Sequence, residues 1–480
     1  FSFCLLTENV LSQWSSDTLT HNIHRDETEM QSLAVNGTSL HAVWKQEKSG
    51  GAWEILYAKK ETGNDWTMAR NISGSSGTAF SPALAVNRAY NDAYIVFLQQ
   101  PDVYDFKDII LARDSGNTFL STHITNDTTE KFSPTIAIDA YSKIHIAWIG
   151  KDTLDNWKIF YASNYFGEWR IQMLAGSELG PFGSGASPFL AVNTYGVAHI
   201  VYRGGDFGNY HIQHVYNVLP GDTTWHYETI STPNENDFTA QLVVDDMNTL
   251  HLLASGNDGW GFPPHAYYRT KNEGGNWSEP QLATSDGAGW GNSLFIDINS
   301  KAHILWEETS GNIYTGNLFY ASNKTGVWES DSLLCDEKSF GGNFVIDANG
   351  FGYALLYNGA TFDTEEILAL RSSSPVTNVI EHNTFSPQQF SLSQNYPNPF
   401  NPTTTIRFEI PVGAIHELPL QTTLKIYNIL GEDVATLVNE ILPAGNYERE
   451  WDATQSPSGL YFYKLTAGKF SETKKLLLLK

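Results

Sequence analysis

From Leu33 to Leu370 the chain keeps one rhythm: a short run of alternating or continuous apolar residues, a break of Gly, Asn, Asp or Ser, then the next run. A period of two between such breaks predicts strands. A strand closing on Asn or Asp recurs at Asn36, Asn87, Asp139, Asn193, Asp245, Asp297 and Asp347, at spacings of 51, 52, 54, 52, 52 and 50 residues. A tight turn follows each anchor, and a second strand then opens on His41, Tyr94, His145, His199, His251, His303 or Tyr353. Third strands are predicted at Ile55 to Ala58, Ile109 to Ala112, Ile159 to Ala162 and Leu318 to Ala321, with fourth strands opening at Trp66, Phe119, Trp169, Trp225, Trp277 and Trp328.

Four strands per unit at a period near fifty, seven times over, predict an all-β seven-bladed β-propeller. The seventh unit has no aromatic where its fourth strand is due after Arg371. Trp14 precedes the first anchor by 22 residues, within the 19 to 24 that separate the other outer aromatics from their next anchors. Leu11 to Thr20 is therefore predicted to complete the last blade, so that no sheet edge is left open there. The expected domains are a propeller over 1–372, a Ser-, Asn- and Pro-containing linker over 373–388, and a small antiparallel β-sandwich over 389–480.

The tail carries the most specific motifs. It opens on Asn395-Tyr396-Pro397-Asn398-Pro399-Phe400-Asn401-Pro402, continues through Leu424-Lys-Ile-Tyr-Asn-Ile-Leu-Gly431 and Ser458-Gly-Leu-Tyr-Phe-Tyr-Lys-Leu465, and ends on a Lys-rich strand. The prolines bar helix and central strand, and the segments after them alternate at period two. These stretches resemble the type A C-terminal sorting domain of type IX secretion cargo in double-membraned bacteria. The resemblance implies a sandwich read by the secretion machinery, with Asn395, Tyr396, Pro397, Asn398, Pro399 and Phe400 as the sorting signal. It also implies signal-peptide-dependent passage through the periplasm to an extracellular or outer-membrane-surface location. The segment from Val412 to Leu420 departs from the family pattern and is expected to be a loop excursion. The apolar Phe1-Ser-Phe-Cys-Leu-Leu6 reads as the end of an export signal or as the edge of the given sequence.

Composition narrows the partners. The formal charge is -24, with 53 acids and 29 bases. The tail from Gln389 holds 9 acids and 8 bases, which leaves 44 acids and 21 bases to the body. An acidic body disfavours nucleic acid and anionic headgroups, and no stretch approaches the roughly 18 apolar residues of a membrane helix. The expected partners are a glycan or surface polymer and the type IX machinery, with no nucleic acid, no membrane insertion and a monomeric state. Cys4 and Cys335 are too few for a disulfide scaffold or a metal cluster, and two free thiols are favoured over one bridge.

Histidines at one rung of a repeated unit are spread around a ring, whereas a zinc ion needs its ligands within about 2 Å. A structural hydrogen bond, tying one blade's second strand to a neighbour, is the expectation. No cofactor and no metal site is expected, a structural calcium in one anchor turn being the only alternative kept open. Function is expected on the face carrying the variable loops between second and third strands and between blades. Candidate ligand-binding residues there are Tyr104, Arg203, Asp206, Tyr210, Asp258, Trp260, His265 and Trp290, in Gly-rich segments where aromatics stand beside carboxylates and an arginine. The reading is a secreted glycan- or polymer-binding protein. The alternatives are a carbohydrate-active enzyme using Asp206, Asp258, His265 and Tyr210, or a structural matrix protein; no catalytic residues are assigned.

Segments such as Ala112-Arg-Asp114-Ser-Gly116-Asn-Thr118-Phe119 and Asn272-Glu-Gly274-Gly-Asn-Trp277 resemble degenerate Asp boxes (BNR repeats) of sialidase-like propellers. That resemblance implies kinship of fold and nothing about activity. Sialidase chemistry needs three clamping arginines, and only Arg203 lies plainly in a variable-face loop, so such activity is not expected.

Overall fold

The computed structural model describes residues 14–377 and 390–479, except 21–24, 29–30, 49, 62, 75–76, 102–105, 117, 175–178, 180–186, 207–208, 231–235, 258–263, 285–288, 310–315, 336–338, 360–364, 411–419, 443–444 and 469. The chain divides into two compact units, Phe1–Ile380 and Glu381–Lys480. Every element among the described residues is a strand.

Among the described residues the first unit holds seven antiparallel sheets in chain order, here the first to the seventh. The third shows the pattern: Lys131–Ile138, Ile144–Lys151, Trp157–Ser163 and Arg170–Met173, each hydrogen-bonded to the next. Its second strand is buried on both faces except at Lys151, while its fourth is largely exposed. Burial therefore falls from the middle of the sheet outward, which is why second strands read as continuous apolar runs and fourth strands do not.

Trp14–Thr18 pairs with Glu365–Ser372 in the seventh sheet, in register from Trp14 opposite Ser372 to Thr18 opposite Leu368. Trp14 is 3% exposed and packs edge-on against Tyr320 and Phe344. Each sheet shares an apolar cluster with the next. The seventh shares one with the first, where Leu33, Leu40, Trp44 and Leu56 meet Val345, Leu355 and Ile367.

Two fourth strands depart from expectation. Trp66 and Trp277 precede theirs, Arg70–Asn71 and Gln281–Leu282, by four residues. Both side chains are partly buried against neighbouring cores, so the aromatic fills the inter-sheet space while the short strand forms after it.

First strands are edges, and every second N–H on them points away from their own sheet. The donor three residues before the anchor is satisfied by the preceding sheet, commonly by the side chain four residues before that sheet's anchor. Thus Leu33 donates to Asn343 Oδ1 at 3.1 Å, Leu294 to Gln241 Oε1 at 2.8 Å, Phe344 to Ser293 Oγ at 3.0 Å and Leu190 to Thr135 Oγ1 at 3.4 Å. Ala83 has no acceptor to offer at this place. The Gln31 side chain, from the first sheet's entry, substitutes for it by taking Ile136 N at 3.2 Å, while the Gln31 main-chain oxygen takes Leu84 N at 2.9 Å. Bulges ending at Ala83, Thr135, Ser293 and Asn343 re-aim the residue four before the anchor.

The second unit is a three-stranded sheet (Ser391–Leu392, Thr403–Ile410, Gly445–Asp452) and a four-stranded one (Asp433–Leu442, Leu420–Tyr427, Gly459–Ala467, Phe470–Leu478). Phe400, Phe408, Trp451, Tyr463 and Leu476 share their core. The segment 411–419 and the question of Cys4 and Cys335 fall outside the described residues and side chains.

Trp14→Ala should destabilise the first unit by about 3–5 kcal/mol, because it empties a buried aromatic site. Urea unfolding of the full chain checks this; a loss below about 1 kcal/mol would show that the Trp14 strand does not close the last sheet in solution.

Candidate functional site

The anchors and their aromatic partners form one repeated device at one end of the sheets. Asp139 Oδ1 accepts the backbone N–H of Tyr141 at 2.9 Å and of Lys143 at 2.8 Å. Asn193, Asp245, Asp297 and Asp347 repeat this geometry. The second carboxylate oxygen of Asp139, Asp245 and Asp297 meets Nε2 of His145, His251 and His303 at 3.2–3.3 Å. Nδ1 of these histidines meets the Tyr161, Tyr268 and Tyr320 hydroxyls at 2.5–2.6 Å. The tyrosine lies on the third strand of the same sheet. The histidine thus joins anchor to third strand within its own sheet, not to a neighbour as expected; among the described residues only His41 Nε2 crosses over, to Asn91 at 3.2 Å. Among the described residues no group of three or more His, Cys, Asp or Glu stands close enough to hold a metal ion.

The fourth sheet replaces the tyrosine with His214, 3.1 Å from His199 Nδ1. His214 Nδ1 lies 2.7 Å from Glu228, which also receives Lys271 at 2.6 Å and Trp277 Nε1 at 3.0 Å. Burial would raise the Glu228 carboxyl, yet these donors together hold it at about 2. Asp297 behaves alike: donors from His303, Thr377 and the Lys301 backbone outweigh burial and hold it at about 2. Burial pushes His41 down to about 4.

The opposite end of the sheets carries the variable loops. Arg203 and Tyr210 stand there on adjoining strands of the fourth sheet, with the guanidinium 4.3 Å from the ring centroid. Tyr210 also meets Phe238 of the fifth sheet at 5.7 Å, and its backbone N–H donates to Asn236 Oδ1 at 3.4 Å. His265 opens the third strand of the fifth sheet, opposite Gly256. Gly256 is required there, since a Cβ would stand 2.0 Å from Asn236 O. Asp206 ends the second strand of the fourth sheet opposite Asn209, and Trp290 lies opposite Glu307 in the sixth. Tyr104, Asp258 and Trp260 lie outside the described residues. The structure therefore brings Arg203 and Tyr210 together, and places His265 on the next sheet.

Sequence reasoning named Tyr210 but missed its counterparts at this end, Trp53 and Trp157. Trp53, Trp157 and Tyr210 occupy one repeat position, two residues before Ile55, Ile159 and Ile212, and each is half-buried. Each lies under a cation: Lys45 at 5.1 Å and Arg25 at 5.8 Å for Trp53, Lys151 at 5.0 Å for Trp157, Arg203 for Tyr210. Lys107 holds the same position in the second sheet, 5.0 Å from Phe80 and 4.6 Å from Phe132. The signal was the fixed offset from a repeated isoleucine, which is invisible to a search for loops that depart from the repeat.

In the tail, Asn395 is 2% exposed, takes its N–H to the Tyr463 hydroxyl at 3.0 Å, and donates from Nδ2 to Pro397 O and Thr404 Oγ1. Asn398 Oδ1 accepts Leu477 N at 2.9 Å, and Phe400, 2% exposed, exchanges backbone hydrogen bonds with Leu477 and Leu479 at 3.0 Å. Tyr396 between them is 81% exposed. The motif thus stitches the unit's opening segment to its last strand and presents one tyrosine outward.

Residues 394–479 match the family model described as secretion system C-terminal sorting domain. The tail is a secretion sorting domain. The chain is accordingly exported by the type IX system to the extracellular or cell-surface compartment, and the sorting domain's partner is that machinery. No curated protein matches the chain. Among solved structures the chain is similar to an ulvan lyase of polysaccharide lyase family 25 bound to -[GlcA(1-4)Rha3S]- (10% identity, 71% of this chain and 92% of that one, TM-score 0.48). It is also similar to a puromycin hydrolase (10%, 81% and 60%, TM-score 0.47) and to the α-L-arabinofuranosidase Arb93A of Fusarium graminearum (9%, 72% and 96%, TM-score 0.39). Likeness at this level carries nothing about activity.

The sign of the acid response follows from the buried groups. Between pH 6.5 and about 4 the unfolded chain takes up a proton that His41 refuses when folded, so stability falls as pH falls, by up to about 1.4 kcal/mol per pH unit. Asp297 and Glu228 act in the same direction below about pH 4, where only the unfolded carboxylates protonate. The thermal midpoint should drop on acidification from pH 7 to 4.5, and His41→Gln should flatten that slope; an unchanged slope would remove His41 from the account.

Proposed function

We propose that the seven sheets form a closed seven-bladed propeller over residues 1–372, a relative in fold of the sialidase-like Asp-box propellers, and that its variable-loop end binds a glycan or surface polymer outside the cell. The reading of closure is supported by the pairing of Trp14–Thr18 with Glu365–Ser372 and by the apolar cluster shared by the first and seventh sheets. One observation carries the binding reading: Trp53, Trp157 and Tyr210 recur at one rung of the loop end, half-buried and each fixed by a cation. Rings held in place cover sugar C–H faces at low entropic cost, while neighbouring polar groups meet hydroxyls. A repeated platform suits a repeating ligand. The sorting domain is consistent with it, since it delivers the chain to where such polymers are found.

On a glycan array the full chain should retain a defined set of polysaccharides, and Trp53→Ala or Trp157→Ala should each weaken retention by roughly 1–2 kcal/mol, a few- to thirtyfold. Unchanged binding by both variants would remove these rings from the site, and the absence of any bound polymer would remove the reading. Deleting 389–480 should leave the protein in the periplasm; normal export of that truncation would show that the signal lies elsewhere.

A further inference from the structure

Among the described residues, two cations at the loop end differ from the others in having no carboxylate of their own. Arg25 and Lys45 share Glu27 at 2.7 and 2.6 Å, Lys131 holds Asp127 at 2.7 Å, and Lys151 holds Asp155 at 2.9 Å and Glu130 at 3.2 Å. Among the described residues, none stands within 4.0 Å of Lys107 Nζ or of the Arg203 guanidinium. Among the described residues, the acids nearest Lys107 in sequence and sheet are already engaged: Asp127 by Lys131, Glu130 by Lys151, and Asp108 by the Thr125 hydroxyl at 3.0 Å. Both cations are half-buried on carbon, Lys107 between Phe80 and Phe132, Arg203 on Tyr210. Burial pulls the pKa of each below its ordinary value and outweighs the opposing pull of Glu130 on Lys107, the expected response of a charge partly stripped of water and incompletely compensated. An aromatic face offsets only part of that cost; an anion from outside offsets more, through a charge-assisted hydrogen bond.

We propose that the loop end takes an acidic polymer, one bearing carboxylate or sulfate groups at intervals, with Lys107 and Arg203 as its two anion-receiving residues. This deepens the polymer-binding reading and rests on it. The two cations open in different clefts: Phe80 and Phe132 belong to the second and third sheets, while Tyr210 and Phe238 belong to the fourth and fifth. A small anion meets one at a time; a chain with spaced charges meets both. The net charge of -24 sets the other bound. At physiological salt repulsion is screened beyond about 8 Å, so local contacts decide for a sparsely charged chain. DNA, with a charge every ~1.7 Å, would gain too few contacts to offset the acidic surface.

The test uses the full chain in titration calorimetry against three probes: polygalacturonate, its fully methyl-esterified form, and κ-carrageenan. The acidic probe should bind about tenfold or more tighter than the methyl ester, which keeps the backbone and loses the charge. Preference for polygalacturonate assigns carboxylate as the recognised group, and preference for carrageenan assigns sulfate. Lys107→Gln and Arg203→Gln should each weaken that binding about tenfold with the thermal midpoint retained, while Arg170→Gln, a ring-capping cation on an outer strand, should leave it unchanged. Equal affinity for the methyl ester, or acidic-probe binding indifferent to both variants, overturns this inference; if Trp53→Ala still weakens binding, the polymer reading survives it. No binding to any probe or to the neutral array takes both down.

Discussion

The first unit depends on how the bare edges of its first strands are satisfied. Seven sheets each begin with an edge strand, and an edge donor buried without a partner costs about 1–3 kcal/mol. All but one of these donors described with a partner find it on the preceding sheet, Leu33 on the seventh; Ile136 reaches Gln31, one sheet further back. The belt does what apolar packing alone cannot: side-chain acceptors at fixed places set the register of sheet against sheet. The exception explains the rule's chemistry. Ala83 offers no side-chain oxygen, and Gln31, from one sheet earlier, reaches past it with its side chain to Ile136.

The two ends of the sheets are governed by different physics. At the anchor end, Asp, His and Tyr satisfy one another inside the protein, and the cost of burying them is met by short hydrogen bonds within each sheet. That end is regular because any missing partner would leave a buried polar group exposed to no solvent. At the loop end the same strands terminate in rings and cations only half withdrawn from water. Substitution there costs little stability, so one rung holds tryptophan, lysine or tyrosine in different sheets. The contrast explains how an acidic body presents local cationic platforms without contradiction.

The sorting domain shows the same division on a small scale. Asn395, Asn398 and Phe400 are committed to the unit's own last strand, so they fix the fold of the motif, while Tyr396 is the member turned to solvent. Residues of one motif thus serve two ends, and sequence alone does not divide them.

The chain's linear order determined the strands, the seven anchors, the origin of the last sheet's outer strand near Trp14, and the tail's destination. All of these are local patterns or fixed spacings, and alternation and turn chemistry act over a few residues. The belt from Asn343 to Leu33, the pairing of His145 with Tyr161, the late fourth strands after Trp66 and Trp277, and the meeting of Lys107 with Phe132 were decided by tertiary structure. In each, the partners come from different strands or different sheets, and which atoms meet depends on how a bulge aims a side chain and how wide the cleft between sheets is. Arg203 and Tyr210 sit between the two cases: their segment stood out in sequence, but only strand pairing put the guanidinium over the ring.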